Sequence, residues 1–573
     1  MASILNSTST TGTATTTAAT TAATTTAAAG TITLDPVTRI EGHLRIDAKV
    51  ANGAVTDAWS SATLFRGIEL ILAGRDPRDA PLITQRLCGV CTYVHLQASS
   101  VAIENAMKMN VPANAQIVRN LINGTQFLHD HIVHFYHLHA LDWVDVTSAL
   151  SANPSSTLTL ARSISPSAPT IDFAAVQTKL KTLVNSGQLG TFSAGYWGHS
   201  AYKLSPEANL LFVAHYLQAL RQQAETAKMM AIFAGKNPHP HATVPGGVTS
   251  GAEIYVAANM TSFTSKLTAT NNFISQFYLP DIIYLAKQYP EYAKVGGFSN
   301  MLAYGEFPTG NYSAGNFFLP GGVIMNKAVT SVAAVNTANI TEDVSRAWYA
   351  KGAALNPTVG VTSPSYTGYN QSAQYSWLKA PRYQGKPMEV GPLARVLVAY
   401  GKNHAQVKPA VDSLLSSLGL KIGDMFSVLG RTAARAIETQ VIGQAMTGWL
   451  TTLKNNIKAG NIATFTGKAV PANAKGMGLG EAPRGAVGHW FTTDGSAKIK
   501  NYQMVVPSAW NFGPRDAAGV PSAVESAMVG MPIADIAQPL EIQRLVHSFD
   551  PCIACGVHLI DAQGNPLGMV KIS

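Results

Sequence analysis

At 573 residues the chain is long enough for several domains. An apolar fraction of 46% with only 13% charged residues predicts a large buried core and a surface with room for a partner. The net charge of +9 is not gathered into Lys/Arg runs with interleaved aromatics, which argues against nucleic acid as a partner. No uncharged apolar run reaches the roughly 18–20 residues needed to cross a bilayer.

Residues 1–30 are nearly all Thr, Ala and Ser, the composition of a disordered tail, with the first charge at Asp35. They carry neither a basic, leucine-rich signal peptide nor a twin-arginine signal, so export would depend on a partner bearing the address. Residues 40–60 alternate as strands around Asn52-Gly53, a good hairpin pair, which places Glu41 near a strand start. From about 97 to 147 the pattern is helical, through Ile117, Leu121, Leu128, Ile132, Phe135 and Leu138. The same stretch holds His129, His131, His134, His137 and His139. The three-residue steps of His131, His134 and His137 admit a zinc site, although packing and interhelical hydrogen bonds are the more ordinary reading. Asp130 among them needs a cationic partner.

Residues 147–190 are rich in Ser, Thr and Pro and suggest a surface insertion. Ser205-Pro206-Glu207 opens a long helix with a capping serine, a first-turn proline and an acid at the positive dipole end. Gly235 should close it after about 45 Å. Residues 290–370 turn to Gly, Asn, Tyr and Val and predict a β-rich excursion. Helical pattern returns over 390–460, and Gly480–Trp490 reads as a loop. The fold class expected is mainly α with smaller β-rich excursions (α+β), built on a helix bundle.

All four cysteines fall in two Cys-x-x-Cys pairs, Cys88/Cys91 followed by His95 and Cys552/Cys555 followed by His558. A tight turn lets both sulfurs of such a pair face one side, so two pairs offer four thiolates to one centre. Spacing alone leaves open structural zinc, an iron–sulfur cluster and redox-active dithiols.

The residues around the pairs narrow this. RLCGVCTYVH and DPCIACGVH resemble the paired signatures of the large subunit of nickel–iron hydrogenases. So do DPVTRIEGHLRID (35–47), FRGIELILAGRDPRDA (65–80), HDHIVHFYHLHALDWVD (129–145), GKNPHPH (235–241), YSWLKAPRYQGKPMEVGPLAR (375–395), GEAPRGAVGHW (480–490) and NYQMVVPSAWNFGPRD (501–516). These blocks run in family order from about residue 31 to the end of the sequence.

The resemblance implies an enzyme that cleaves H2 heterolytically at a Ni–Fe centre whose iron carries CO and CN⁻ ligands. In it, Cys88 and Cys552 would bind nickel terminally, while Cys91 and Cys555 would bridge to iron. Arg484 would sit over the open side of the metals, held by Asp130 and Asp550. Either Arg484 or the Cys552 thiolate would take the first proton, with Glu41 as relay; from the residues alone Glu41 could instead pair with Arg39. Pro483 and Ser508 would line the diatomic ligands, and His95 would lie just outside them. Glu69, His558 and the main-chain carbonyl of Met504 would hold Mg²⁺.

The family also implies maturation proteins for nickel and iron, and an endopeptidase that cuts after His558. On that pattern residues 31–558 form the large-subunit domain, and residues 559–573 are a C-terminal extension of the unprocessed precursor. No cysteine remains for an iron–sulfur cluster, so electrons must leave through a separate iron–sulfur small subunit. That partner would carry the export signal and a link to a membrane cytochrome b, giving a membrane-associated enzyme on the periplasmic face; a cytoplasmic enzyme is the alternative. A hydrogen-sensing regulatory protein is the rival function, and a quinone-oxidoreductase scaffold fits less well because such relatives lack the paired cysteines.

Overall fold

The computed structural model describes residues 29–310 and 315–553. The Thr/Ala-rich tail up to residue 28, Cys555, His558 and the stretch 559–573 lie outside the described residues, as does the hairpin expected around Gly564-Asn565-Pro566.

The first element is an antiparallel meander of β1 (Gly30–Leu34), β2 (Leu44–Ala51) and β3 (Ala54–Ala62). Asn52 and Gly53 connect β2 to β3 with φ of 51° and 74°, the left-handed pair that a two-residue hairpin turn demands. The helical stretch expected over 97–147 is two helices, α1 (Val94–Met107) and α2 (Ala113–Val133). Pro112 causes the break, because it lacks an N–H and biases Val111 away from helical geometry. Past α2 the helix loosens into a π-helical turn, His134–His139. Residues 147–190 contain two short helices, α3 (Pro154–Ile164) and α4 (Phe173–Asn185), which both pack on the following helix, α4 burying Phe173 and Leu180.

That helix, α5 (Pro206–Ala234), has the expected ends. The Ser205 hydroxyl accepts from Ala208 N–H at 3.2 Å, and Gly235 leaves the helix with φ 83°. Next come α6 (Ala257–Phe273) and α7 (Leu279–Gln288), then the short strands of the 300–345 region, of which β4 (Ile340–Asp343) pairs with β5 (Ala380–Tyr383). The return to helix gives α8 (Pro392–Gly401), α9 (Val407–Leu418) and α10 (Val428–Lys458).

Helix α10 is the axis of the molecule. It packs against α2, α6, α7, α8 and α9, and later against α12 (Leu540–Phe549), which follows the short α11 (Ala523–Met528). Its first five turns are buried almost all round, as expected for a helix surrounded by others. The fold is mainly α with small β elements, the expected class. No helix among the described residues is long and apolar enough to cross a membrane.

One expectation needs correction. Gly480–Trp490 lies within a hairpin of β6 (Lys475–Ala482) and β7 (Gly485–Thr493), extended by β8 (Ile499–Val505). The glycines that suggest a loop instead let a strand lie directly on a helix. A Cβ on Gly478 would sit 2.0 Å from the Ala98 carbonyl oxygen of α1, and one on Gly476 would sit 2.4 Å from that of Ala102. Only glycine permits this approach at alternate positions of a strand. The hairpin closes where Ala482 faces Gly485, leaving Pro483 and Arg484 as a two-residue tip.

Candidate metal centre

Three thiols converge in the core. Cys88 Sγ lies 3.3 Å from Cys552 Sγ, Cys91 Sγ lies 3.7 Å from it, and all three residues are buried. The first pair sits in the turn ahead of α1, where Val90 and Cys91 point their backbone N–H groups at Cys88 Sγ (3.2 and 3.1 Å). Those two dipoles favour a thiolate at Cys88.

Cys552 comes from the far end of the described chain. Helix α12 ends at Asp550 in the left-handed conformation (φ 58°), a turn that Asp tolerates better than most residues. The chain then runs alongside the loop before β2. Glu41 N–H donates to Pro551 O at 3.3 Å, and Ile553 N–H donates to Glu41 O at 2.8 Å. Ser508 closes this segment from the other side: its hydroxyl donates to Cys552 O (2.9 Å) and accepts from Cys552 N–H (3.1 Å). The segment is thus docked as far as Ile553, the last described residue.

Above the thiols is Arg484, at the buried tip of the β6–β7 hairpin. Its Nη1 donates to Asp130 Oδ2 at 2.8 Å, and its Nε lies 3.0 Å from Asp550 Oδ1. Asp130 is further held by Gln126 and His129. Burial opposes the charge on Arg484, but Asp550, Cys552, Asp130 and Cys91 overcome it and raise the guanidinium pKa well above its ordinary value. Pro483 directly precedes Arg484 at the same tip.

Glu41 faces the metal side. Cys552 Sγ lies 3.3 Å from Glu41 Oε2, within reach of a thiol-to-carboxylate hydrogen bond. The alternative partner, Arg39, is engaged elsewhere. It donates to Asp142 Oδ1 (2.5 Å) and to the Leu138 and Gln543 oxygens. Asp142 also takes His139 Nδ1 (3.1 Å) and His547 Nδ1 (2.7 Å). Burial works against that carboxylate's charge, yet Arg39 and His547 hold its pKa well below the usual range. With a guanidinium already seated on it, the His139–Asp142–His547 group is an ion-pair knot joining the Glu41 loop, the π-turn and α12, and a poor place for a cation.

The other histidines of the 129–139 run do not share a ligand point. His131 meets Glu438 (2.8 Å), His134 donates to His547 O (2.6 Å) and His137 faces Tyr216 O (3.4 Å). The packing reading holds. His95, fully buried, pairs through Nδ1 with His489 Nε2 at 3.1 Å, and burial lowers its pKa to about 4 against the pull of Cys88.

Glu69 and Met504 come together beside a separate cavity. Met504 N–H donates to Glu69 Oε1 at 2.7 Å, and the cavity is completed by Glu342, Thr362 and Lys379. Lys379 Nζ lies 3.4 Å from both Glu69 and Glu342 and 2.8 Å from Gln503. Burial, partly offset by Lys379, pushes the Glu342 carboxyl up to about 7.

The donor chemistry of the two places differs as expected for two kinds of ion. Buried sulfurs within 4.8 Å of one another suit a soft transition metal. The carboxylates of Glu69 and Glu342 are the oxygen donors a hard cation takes, with the Lys379 ammonium seated between them.

Comparison with known proteins agrees with this geometry. A family model described as nickel-dependent hydrogenase matches residues 66–558, and one described as HoxL-like matches residues 31–63. The uptake hydrogenase large subunit of Rhizobium leguminosarum bv. viciae is 45% identical, over 94% of this chain and 97% of that relative. The hydrogenase-2 large chain of Escherichia coli K12 is 42% identical, over 94% and 99%. The solved Ni-Fe-Se hydrogenase of D. vulgaris Hildenborough in its reduced state superposes with a TM-score of 0.77 at 36% identity, over 93% of this chain and all of that one. Convergent buried thiols under a doubly paired arginine, on a fold shared along nearly the whole length, place this chain as a catalytic large subunit in the nickel-dependent hydrogenase family.

Proposed function

We propose that this chain oxidises H2 as the large subunit of an uptake hydrogenase, with Cys88, Cys91, Cys552 and Cys555 holding a Ni–Fe centre. The carrying observation is the stacking of three groups around one point: soft thiols, a fixed guanidinium and a carboxylate 3.3 Å from a thiol. Bound there, a Ni–Fe centre with CO and CN⁻ on iron supplies the electron-accepting half of H2 cleavage. The remaining work belongs to the protein.

A guanidinium held between two buried carboxylates stays protonated and is a poor base. This favours Cys552 as first proton acceptor, with Arg484 supplying fixed positive charge where H2 polarises. Glu41 then takes the proton from Cys552 Sγ and passes it outward. Ser508 holds the Cys552 backbone, and with Pro483 it is placed to line the diatomic ligands. Its hydroxyl serves the Cys552 carbonyl here and would need to turn to reach a cyanide nitrogen. His95 keeps its neutral ring next to the Cys88 turn. Glu69, the Met504 carbonyl and His558 form the proposed Mg²⁺ site.

The electrons require an iron–sulfur small subunit, since every cysteine of this chain lies in the two pairs. The Wolinella succinogenes relative is by name quinone-reactive, and quinones reside in membranes, which supports a membrane-associated complex; anchoring through the partner and a cytochrome b extends that reading.

Glu41→Gln tests the relay. It keeps the side chain's shape but cannot carry a proton, so H2 oxidation should fall ~10²-fold or more while nickel content is unchanged. Full turnover in this variant would remove Glu41 from the path.

Maturation is tested separately. The family match ends at His558, which supports removal of residues 559–573 by the dedicated endopeptidase after the maturation proteins have delivered iron and nickel. At 60.5 kDa for 573 residues, or about 0.1 kDa each, active protein should be about 1.5 kDa lighter than the encoded chain. Intact-mass measurement of turning-over complex that ends at Ser573 would refute the cut.

A further inference from the structure

We infer that Arg395 is the positioning residue for the Arg484–Asp130 pair: one buried guanidinium fixes the hairpin tip that carries Arg484 against the helix that carries Asp130. Arg395 stands in the first turn of α8 and is fully buried. All five of its N–H groups are used. Nε and Nη2 donate to the two oxygens of Glu438 (2.6 and 2.8 Å). Nη1 donates to Glu481 Oε2 and to Ala482 O, both at 2.8 Å, and Nη2 also donates to Pro483 O at 2.8 Å. A planar fork with five matched acceptors has one orientation open to it.

Two of those acceptors are the main-chain carbonyls immediately before Arg484. Their positions set the direction in which the Arg484 side chain leaves the tip. Glu438, on α10, also takes His131 Nε2 at 2.8 Å, and His131 directly follows Asp130 on α2. The guanidinium therefore bonds the residue before Arg484 directly and, through Glu438, is tied to the residue after Asp130; the Arg484–Asp130 pair itself closes at 2.8 Å. The tip has no slack on its other side. A Cβ on Gly391, at the start of α8, would stand 3.0 Å from Arg484 O, and one on Gly485 would stand 2.5 Å from Val390 Cγ2. Glu481 is pinned too, accepting Tyr304 N–H at 2.6 Å while its own N–H donates to Glu306 Oε2 at 2.6 Å.

This inference rests on the reading of Arg484 as part of the reaction, and a double-mutant cycle separates the two. Arg395→Lys, Arg484→Lys and the double variant are purified as the complex with the small subunit, then compared for nickel content, nickel paramagnetic spectrum and H2-oxidation kinetics. Arg395→Lys cannot span Glu438, Glu481 and two carbonyls at once. It should keep its nickel and its KM for H2 within about twofold, lose roughly ten- to a hundredfold in kcat, and shift the nickel g-values. In the Arg484→Lys background the same change should cost less than about threefold, because the group it positions is already gone.

If Arg484→Lys alone turns over normally, the reading of Arg484 fails. If Arg484→Lys is impaired but Arg395→Lys turns over normally, or its loss multiplies in full in the double variant, the positioning role is overturned. Should Arg395→Lys not assemble, Glu481→Gln carries the same cycle with a near-isosteric change; a several-fold, non-multiplicative loss in kcat is expected, and an unaltered kcat would refute the inference.

Discussion

A Cys91→Ser protein is expected to hold no stoichiometric nickel and to oxidise no H2. The Cys91 sulfur lies 3.7 Å from that of Cys552, which is in turn 3.3 Å from that of Cys88, so the three converge on one small volume inside the core. Serine nearly preserves the shape while replacing a soft, readily ionised donor by a hard hydroxyl that stays protonated at neutral pH. The effect should therefore appear in metal content before it appears in folding, and the same holds for Cys88, Cys552 and Cys555. Metal analysis of the purified complex checks it. Normal nickel with normal turnover in the Cys91→Ser protein would sink the assignment of the thiols.

Arg484→Lys should behave differently, keeping nickel while turnover drops ~10²-fold or more, a barrier increase of about 2.7 kcal/mol. The guanidinium reaches Asp130 with Nη1 and Asp550 with Nε, on opposite sides of one planar group. An ammonium is a single point on a flexible stem and cannot occupy both positions. One buried carboxylate is then left poorly paired, and the positive charge no longer has a fixed place above the thiols. Hydrogen-oxidation assays at matched nickel content decide the matter: undiminished rates would return Arg484 to a purely structural part of the hairpin.

Much of this was readable from the chain. Ser205-Pro206-Glu207 and Gly235 delimit α5, and Asn52-Gly53 turns the first hairpin, because caps and two-residue turns act through adjacent residues. The thiol pairs, Arg484, Asp130, Asp550 and Glu41 were found through motifs, and the fold brings all of them but Cys555, which lies outside the described residues, to one place.

What escaped was set by neighbours far away in sequence. The glycines of β6 look like a loop until α1 is laid beneath them, and only then does their spacing of two show its use. The buried ionic framework was missed as well. Arg431 forks onto Glu389, Arg395 forks onto Glu438, and Arg119 meets Glu104. One local signal existed: Arg431, Arg435 and Glu438 recur at helical spacing along α10, a polar stripe on a helix otherwise buried all round. The partner of Arg39 could not be read locally, since Asp142 is 103 residues away while Glu41, next but one in sequence, is the obvious choice.

The distance along the chain between the thiols has a consequence for synthesis. Cys91 and Cys552 are 461 residues apart, which is roughly 20–90 s of translation at ~5–20 residues per second. For that time Cys88 and Cys91 exist as an exposed dithiol with no partner pair, in the spacing that most readily closes to a disulfide or captures a stray metal ion. The convergence of Cys88, Cys91 and Cys552 cannot be completed until nearly the whole chain has been made, so a metal centre that needs all three sulfurs is a late product of folding, however early its first pair emerges.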